Sequence, residues 1–205
     1  MRSFAFILPL LIVQTVSAQI KITNIDKNEL PKTITYKGHI INAVKYTDNE
    51  GEHLVITTET GIVNVKEVGE DMKKADLYAY SYLNSGNVFK LSWQMHDLVP
   101  SCPVDVIGKY IPGTFAVTDV NNDGKAEVWL MYIITCQGDA SPCTMKIIMH
   151  SGDKKYAMRG TNQVKLDKAY GGEYTFDDAF KNAPKLFRDY AQQLWKKNIL
   201  YNAWH

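Results

Sequence analysis

The sequence has little charge of either sign to spare: 23 Lys and Arg stand against 22 Asp and Glu in 205 residues. A chain so nearly neutral has no field to gather a polyanion. Nucleic acid and anionic membrane surfaces are therefore excluded as its main partners. Histidine is sparse and scattered, at His39, His53, His96, His150 and His205, with no HExxH spacing to hold a catalytic metal. There is no GxSxG elbow for a serine nucleophile. Only three cysteines occur, with no CxxC pair, so a cysteine-bound metal is not expected. No internal repeat, low-complexity tract or interdomain linker interrupts the chain. After the first 18 residues no segment is apolar enough to cross a membrane as a helix.

The N-terminus has what a secretory leader needs. Arg2 supplies a positive start, Phe4 to Val13 an apolar run too short for a bilayer span, and Val16-Ser17-Ala18 a small-residue cleavage site. Cleavage there leaves residues 19–205, or 205 − 18 = 187 residues. Losing Arg2 leaves 22 basic against 22 acidic residues. That length suits one β-rich domain with its own core. The expected location is the periplasm, the cell surface or the medium. Export favours a disulfide, and an odd count leaves one thiol over. In a regular hairpin centred on residues 122 and 123, Cys102 would face Cys143. Pro112-Gly113 breaks such a register, so Cys102–Cys136 is equally open.

Most of the chain reads as strand. Residues 33–47 and 53–60 are rich in Thr, Val, Ile and Tyr and flank Asp48-Asn49-Glu50-Gly51, a hairpin signal. Residues 61–74 read as an exposed Lys/Glu-rich connection in which Ile62 to Val65 could extend a strand. A second hairpin is expected over 76–83 and 87–98 around Asn84-Ser85-Gly86. Val104 to Tyr110 and Thr114 to Thr118 follow. Val128 to Ile134 is a continuous apolar run, the pattern of a central strand buried on both faces. Lys146 to His150 and Tyr156 to Arg159 should pair across Ser151-Gly152-Asp153. Near the C-terminus, Leu186, Phe187, Tyr190, Ala191, Leu194 and Trp195 recur at helical spacing after Pro184. The spacing predicts an amphipathic helix over about 184–200, with a shorter turn at Asp177 to Lys181. The expected class is mainly β (α+β): a curled antiparallel sheet or sandwich with a C-terminal amphipathic helix.

One stretch carries ligand chemistry. In Asp119-Val-Asn121-Asn-Asp123-Gly124-Lys125-Ala-Glu127, oxygen side chains fall at positions 1, 3, 5 and 9, with glycine at 6. Asp119, Asn121 and Asp123 offer side-chain oxygens, Lys125 its backbone carbonyl, and Glu127 a closing carboxylate. Hard cations such as Ca2+ take this donor set. Position 12 is Leu130, and the flanks read as strands, so the segment is not an EF-hand. It resembles the calcium loops of FG-GAP or integrin-type β-propeller repeats, which also lie between strands. A single copy implies no propeller, and the ion would brace the loop. Paired carboxylates for glycoside chemistry could come from Asp97, Asp105, Asp139, Glu173, Asp177 or Asp178, but no spacing selects a pair. Tyr78, Tyr80 and Tyr82 alternate onto one strand face, where core packing is favoured over a sugar platform.

The second half, from about residue 95, also resembles a family of small exported bacterial proteins named for surface polysaccharide biosynthesis. The matching features are Cys102-Pro-Val-Asp105, Val117 to Glu127, Cys136-Gln-Gly-Asp-Ala-Ser-Pro142, Lys155-Tyr-Ala-Met-Arg-Gly160, Gly171-Gly-Glu173 and the terminal helix. The resemblance implies a Cys102–Cys136 disulfide, with Cys143 as the extra thiol, and a role at the cell envelope. It implies no substrate, reaction or catalytic residue. Two functions follow as expectations. One is a non-enzymatic, calcium-braced β domain that binds or presents a surface glycan or an envelope assembly partner. The other is a polysaccharide hydrolase or lyase working through carboxylates.

Overall fold

A computed structural model describes residues 20–67 and 70–204. The expected leader at 1–18 lies outside the described residues. Strands β1 (Ile22–Asn24), β2 (His39–Asp48), β3 (Gly51–Glu59), β4 (Val63–Glu67), β5 (Glu70–Ser85) and β6 (Val88–Cys102) form one antiparallel sheet. Strands β7 (Val106–Tyr110), β8 (Ala116–Thr118), β9 (Glu127–Cys136), β10 (Thr144–Ser151) and β11 (Lys154–Thr161) form a second with β14 (Tyr174–Phe176). Between them in sequence, β12 (Gln163–Lys165) and β13 (Ala169–Gly171) make a two-stranded ribbon. Helices α1 (Asp178–Lys181) and α2 (Lys185–Asn198) close the chain. The fold is mainly β, and of the two expected forms it is the sandwich.

Strand alternation builds the layers. One face of the first sheet (Val44, Val55, Leu77, Met95) packs on one face of the second (Val128, Leu130, Tyr132, Ile148). The opposite face of the second sheet (Trp129, Met131, Ile147, Met158) buries Phe180, Phe187, Ala191 and Trp195 of the helices. Each such large side chain contributes about 1.5–3 kcal/mol on burial. Leu186, expected in the helical stripe, is exposed. The buried row is Phe187, Ala191 and Trp195, spaced by four, and Leu186 stands one residue outside it.

The outer face of the first sheet carries Tyr78, Tyr80 and Tyr82, stacked in a row and buried. Here the structure departs from the strand expected over 33–47, because β2 begins at His39. Residues 33–38 serve as a strap over the tyrosines instead. The Tyr82 hydroxyl donates to Thr35 O at 2.5 Å, and Lys37 N donates to the Tyr80 hydroxyl at 3.1 Å. The tyrosines are thus core, as favoured. Residues 61–74, read as a connection in which Ile62 to Val65 could extend a strand, supply β4 and the start of β5, paired from Val63↔Lys74 onward. The β5–β6 turn centres on Gly86-Asn87, both at positive φ, one residue beyond the expected position.

The strand β9 is central, with β10 on one edge and β7 and β8 on the other. The β8 pairing Ala116↔Trp129 extrapolates to Cys102 facing Cys143. The bend at Pro112-Gly113 resets the register, so β7 sets Val106 opposite Cys136, where β8's register would put residue 139. The disulfide is Cys102–Cys136, and Cys143 is a buried free thiol. Closing a loop with a sequence separation of 34 should stabilise the fold by about 3–4 kcal/mol. The Cys102→Ser/Cys136→Ser double variant should therefore melt roughly 10 °C lower. Scanning calorimetry checks this, with Cys143→Ser as the control for thiol loss alone.

Candidate functional site

The acidic loop joins β8 to β9 and is folded around its own carboxylates. Asp119 Oδ1 accepts from Asp123 N at 3.0 Å and Oδ2 from Gly124 N at 3.0 Å. Asn121 Nδ2 donates to Asp123 Oδ2 at 2.7 Å, and Lys125 N donates to Asp123 Oδ1 at 2.9 Å. Gly124 has φ +81°, and a Cβ there would lie 1.9 Å from Asn49 Nδ2. Only glycine allows both the turn and the close approach of the β2–β3 hairpin. That hairpin is bound tightly. Asn49 N donates to Gly124 O at 2.9 Å, Ala126 N to Asp48 Oδ2 at 3.0 Å, and Lys125 Nζ to Glu50 at 2.7 Å.

Glu127, the closing residue, is fully buried. Its Oε2 accepts from Val120 N at 2.9 Å and from the Thr118 hydroxyl at 2.7 Å, which fixes the carboxyl beneath the loop. Its Oε1 is buried with no hydrogen-bond partner. Burial raises the Glu127 pKa to about 7; two hydrogen bonds oppose the rise, and the charges of Asp119 and Asp123 add to it.

Among the described residues, no group of three or more His, Cys, Asp or Glu side chains is gathered as a metal would hold them. The loop's carboxylates face backbone N–H groups instead. The donor chemistry nonetheless fits a hard cation. All the candidate side-chain donors are oxygens, a carboxylate oxygen that accepts one hydrogen bond keeps a second lone pair, and Glu127 Oε1 has no hydrogen-bond partner.

Beside the loop, at the same end of the sandwich, sit two stacked histidines. His53 contacts Asp48 at 3.0 Å and stacks on Tyr46 with ring centroids 4.6 Å apart. His150 stacks on Trp93 at 3.9 Å, and neither ring nitrogen has a partner. The Tyr46–His53 pairing was readable from a two-residue turn, since residues that flank a hairpin face each other. His150 and Trp93 come from different sheets, so only sheet-on-sheet packing unites them.

Of the carboxylates available for glycoside chemistry, five are engaged by separate partners, and the Glu173 backbone carbonyl accepts from Thr161 N at 3.1 Å. Asp97 accepts from Lys146 Nζ at 2.6 Å and from the Tyr132 hydroxyl at 2.8 Å. Asp105 pairs with Lys73, Asp139 accepts from Ser141 N, Asp177 caps α1, and Asp178 pairs with Lys181. Comparisons with models of protein families, with curated proteins and with solved structures found no match for this chain.

Burial, reinforced by Lys155, lowers the His150 pKa from 6.5 to about 4. A depressed histidine pKa contributes stability that is present above pH 6.5 and lost as pH falls towards 4. The loss should reach about 3 kcal/mol. His150→Phe keeps a ring against Trp93 and should remove this part of the acid sensitivity. Urea midpoints of both proteins at pH 7 and pH 4 measure it.

Proposed function

We propose that this chain is an exported, non-enzymatic envelope protein. It is a calcium-braced β-sandwich that binds or helps present a surface glycan or an assembly partner. The observation that carries the brace is Glu127 Oε1, a buried carboxylate oxygen without a partner under a loop of oxygen donors. An unpaired buried polar atom costs stability that a cation ligand would recover. Asp119, Asn121, Asp123, the Lys125 carbonyl and Glu127 would hold the ion. Bound Ca2+ supplies positive charge against three carboxylates. The residues themselves set the loop's shape and tie it to the β2–β3 hairpin through Asn49 and Asp48.

Export is supported by the leader features at 1–18 and by the Cys102–Cys136 disulfide. No helix among the described residues is long and apolar enough to cross a membrane. The envelope-glycan role rests on the resemblance of the second half. The spread of Asp97, Asp105, Asp139, Asp177 and Asp178 over separate partners favours a binding role over a hydrolase or lyase, which needs two carboxylates on one substrate.

Thermal melting in EDTA and then with added Ca2+ tests the brace. At a concentration of about 100 times Kd the ion should add about 2.7 kcal/mol, or roughly 5–10 °C. Asp119→Ala and Asp123→Ala should each abolish most of that shift. No shift, with direct calcium titration also silent, would reduce the segment to an ordinary turn.

A further inference from the structure

At the far end of the second sheet from the acidic loop lies a cleft. Strand β10 sets this separation: Ser151 pairs with Glu127 beside the loop, and Thr144 at the other end follows Cys143 in the cleft wall. Eight residues of strand span about 25 Å. The cleft has two lobes, of about 350 and 300 Å³, which share Ala140, Ser141, Val164 and Leu166. Each lobe reaches the size of small-molecule sites.

Three segments build the walls, and each is pinned. The loop after Cys136 is held by the disulfide and by Gln137 Nε2 donating to Ser141 O at 2.7 Å. The β12–β13 ribbon is pressed onto that loop, since a Cβ at Gly171 would meet Pro142 Cβ at 2.6 Å. The C-terminal tail is clamped by three bonds. Gln163 N donates to Ile199 O at 2.6 Å, Asn162 Nδ2 to Tyr201 O at 2.9 Å, and Lys109 Nζ to Ala203 O at 2.9 Å. The walls are therefore largely set before any ligand arrives, which lowers the entropic cost of binding.

The lining selects a chemical class. Tyr170, Trp204, Leu166 and Leu200 present apolar surface that remains 42–64 % exposed. The lobe with Trp204 also carries the amides of Gln163 and Asn202, the latter accepting from Trp204 N at 3.0 Å, and the Ser141 side chain lines both lobes. The formal charges are few: Lys165 in one lobe and Asp139 in the other. Asp139 is committed to its own loop through Ser141 N at 2.9 Å. An extended peptide would want a row of unpaired backbone groups. Here the wall backbone is engaged: Asn162 N bonds to Cys143 O, Gln163 N to Ile199 O, and Leu166 N to Lys168 O. A flat aromatic ring in each lobe, together with neutral hydrogen-bonding side chains, matches a pyranose, which has an apolar C–H face and hydroxyls around its edge.

We propose that this cleft is a binding site for a neutral oligosaccharide, with Trp204 and Tyr170 as stacking faces and Ser141, Gln163 and Asn202 reading hydroxyls. The proposal rests on the glycan-binding reading above and gives it a location separate from the calcium loop. Sequence periodicity could not find the cleft, because its residues come from a loop, a ribbon and a tail.

The test is calorimetric titration of the protein with cellotriose, maltotriose and tri-N-acetylchitotriose, together with tryptophan fluorescence. Saturable binding is expected for at least one of the three. Trp204→Ala and Tyr170→Ala should each weaken it at least tenfold, and Val88→Ala, an exposed position at the start of β6 outside the cleft, should change it less than twofold. Should Trp204→Ala melt abnormally, Leu166→Asp replaces it, since Leu166 is 64 % exposed. Binding that persists unchanged in the cleft variants would overturn the cleft and leave the glycan reading standing. No saturable heat or fluorescence change with any of the three would overturn the assigned ligand class. The calcium-dependent melting shift would then report separately on the brace.

Discussion

Strand β9 is hydrogen-bonded on both edges, and every residue from Glu127 to Ile134 is buried. One face of it meets the first sheet and the other meets the helices. Such a strand cannot shift by one residue without exchanging two complete sets of side chains. Its ends are therefore fixed points. Glu127 at the start closes the acidic loop, and Cys136 at the end carries the disulfide. The candidate ion site and the candidate glycan cleft are attached near opposite ends of one rigid sheet, β9 holding the first and the neighbouring β10 leading into the second.

The acidic loop does more than end a strand. Through Asn49, Asp48 and Glu50 it ties the β2–β3 hairpin of the first sheet to the second sheet. Removing that junction would leave the two sheets joined at this end by apolar contact and by the His150–Trp93 stack. Both features place ionisable groups where water is scarce. Glu127 is pushed towards its neutral form, and His150 is held neutral, so opposite pH changes would load charge into the same end of the sandwich. A cation under the loop would relieve the first of these stresses and leave the second untouched.

Neutral overall charge and neutral cleft lining belong together. A binding surface that works by stacking and hydroxyl recognition needs no field, and the balance of 23 basic against 22 acidic residues provides none. The ionic groups are spent locally. Asp97 holds Lys146 and Tyr132 across the sandwich, and Asp105 holds Lys73 beside the disulfide. For these two acids the partners come from other strands, which spacing along the chain does not reveal.

Local pattern was enough for much of this protein. The apolar run 128–134 announced a strand buried on both faces, the turn residues at 48–51 and 151–153 announced hairpins, and the spacing after Pro184 announced α2. These features were legible because hydrogen bonding and burial within an element have a fixed period. The strap at 33–38 was misread as strand because its Thr and Tyr content suits both states, and only the tyrosine hydroxyls above the sheet decide between them. The composition of the acidic loop was likewise legible, but Glu127's buried, unpartnered oxygen was not. By itself the sequence determined the mainly β class, the central strand, the terminal helix and the loop's oxygen donors. The tertiary structure alone decided the three-residue register change between β8 and β7, the His150–Trp93 stack and the cleft. Each of these joins residues from separate elements, and their distance depends on how sheets pack rather than on any spacing along the chain.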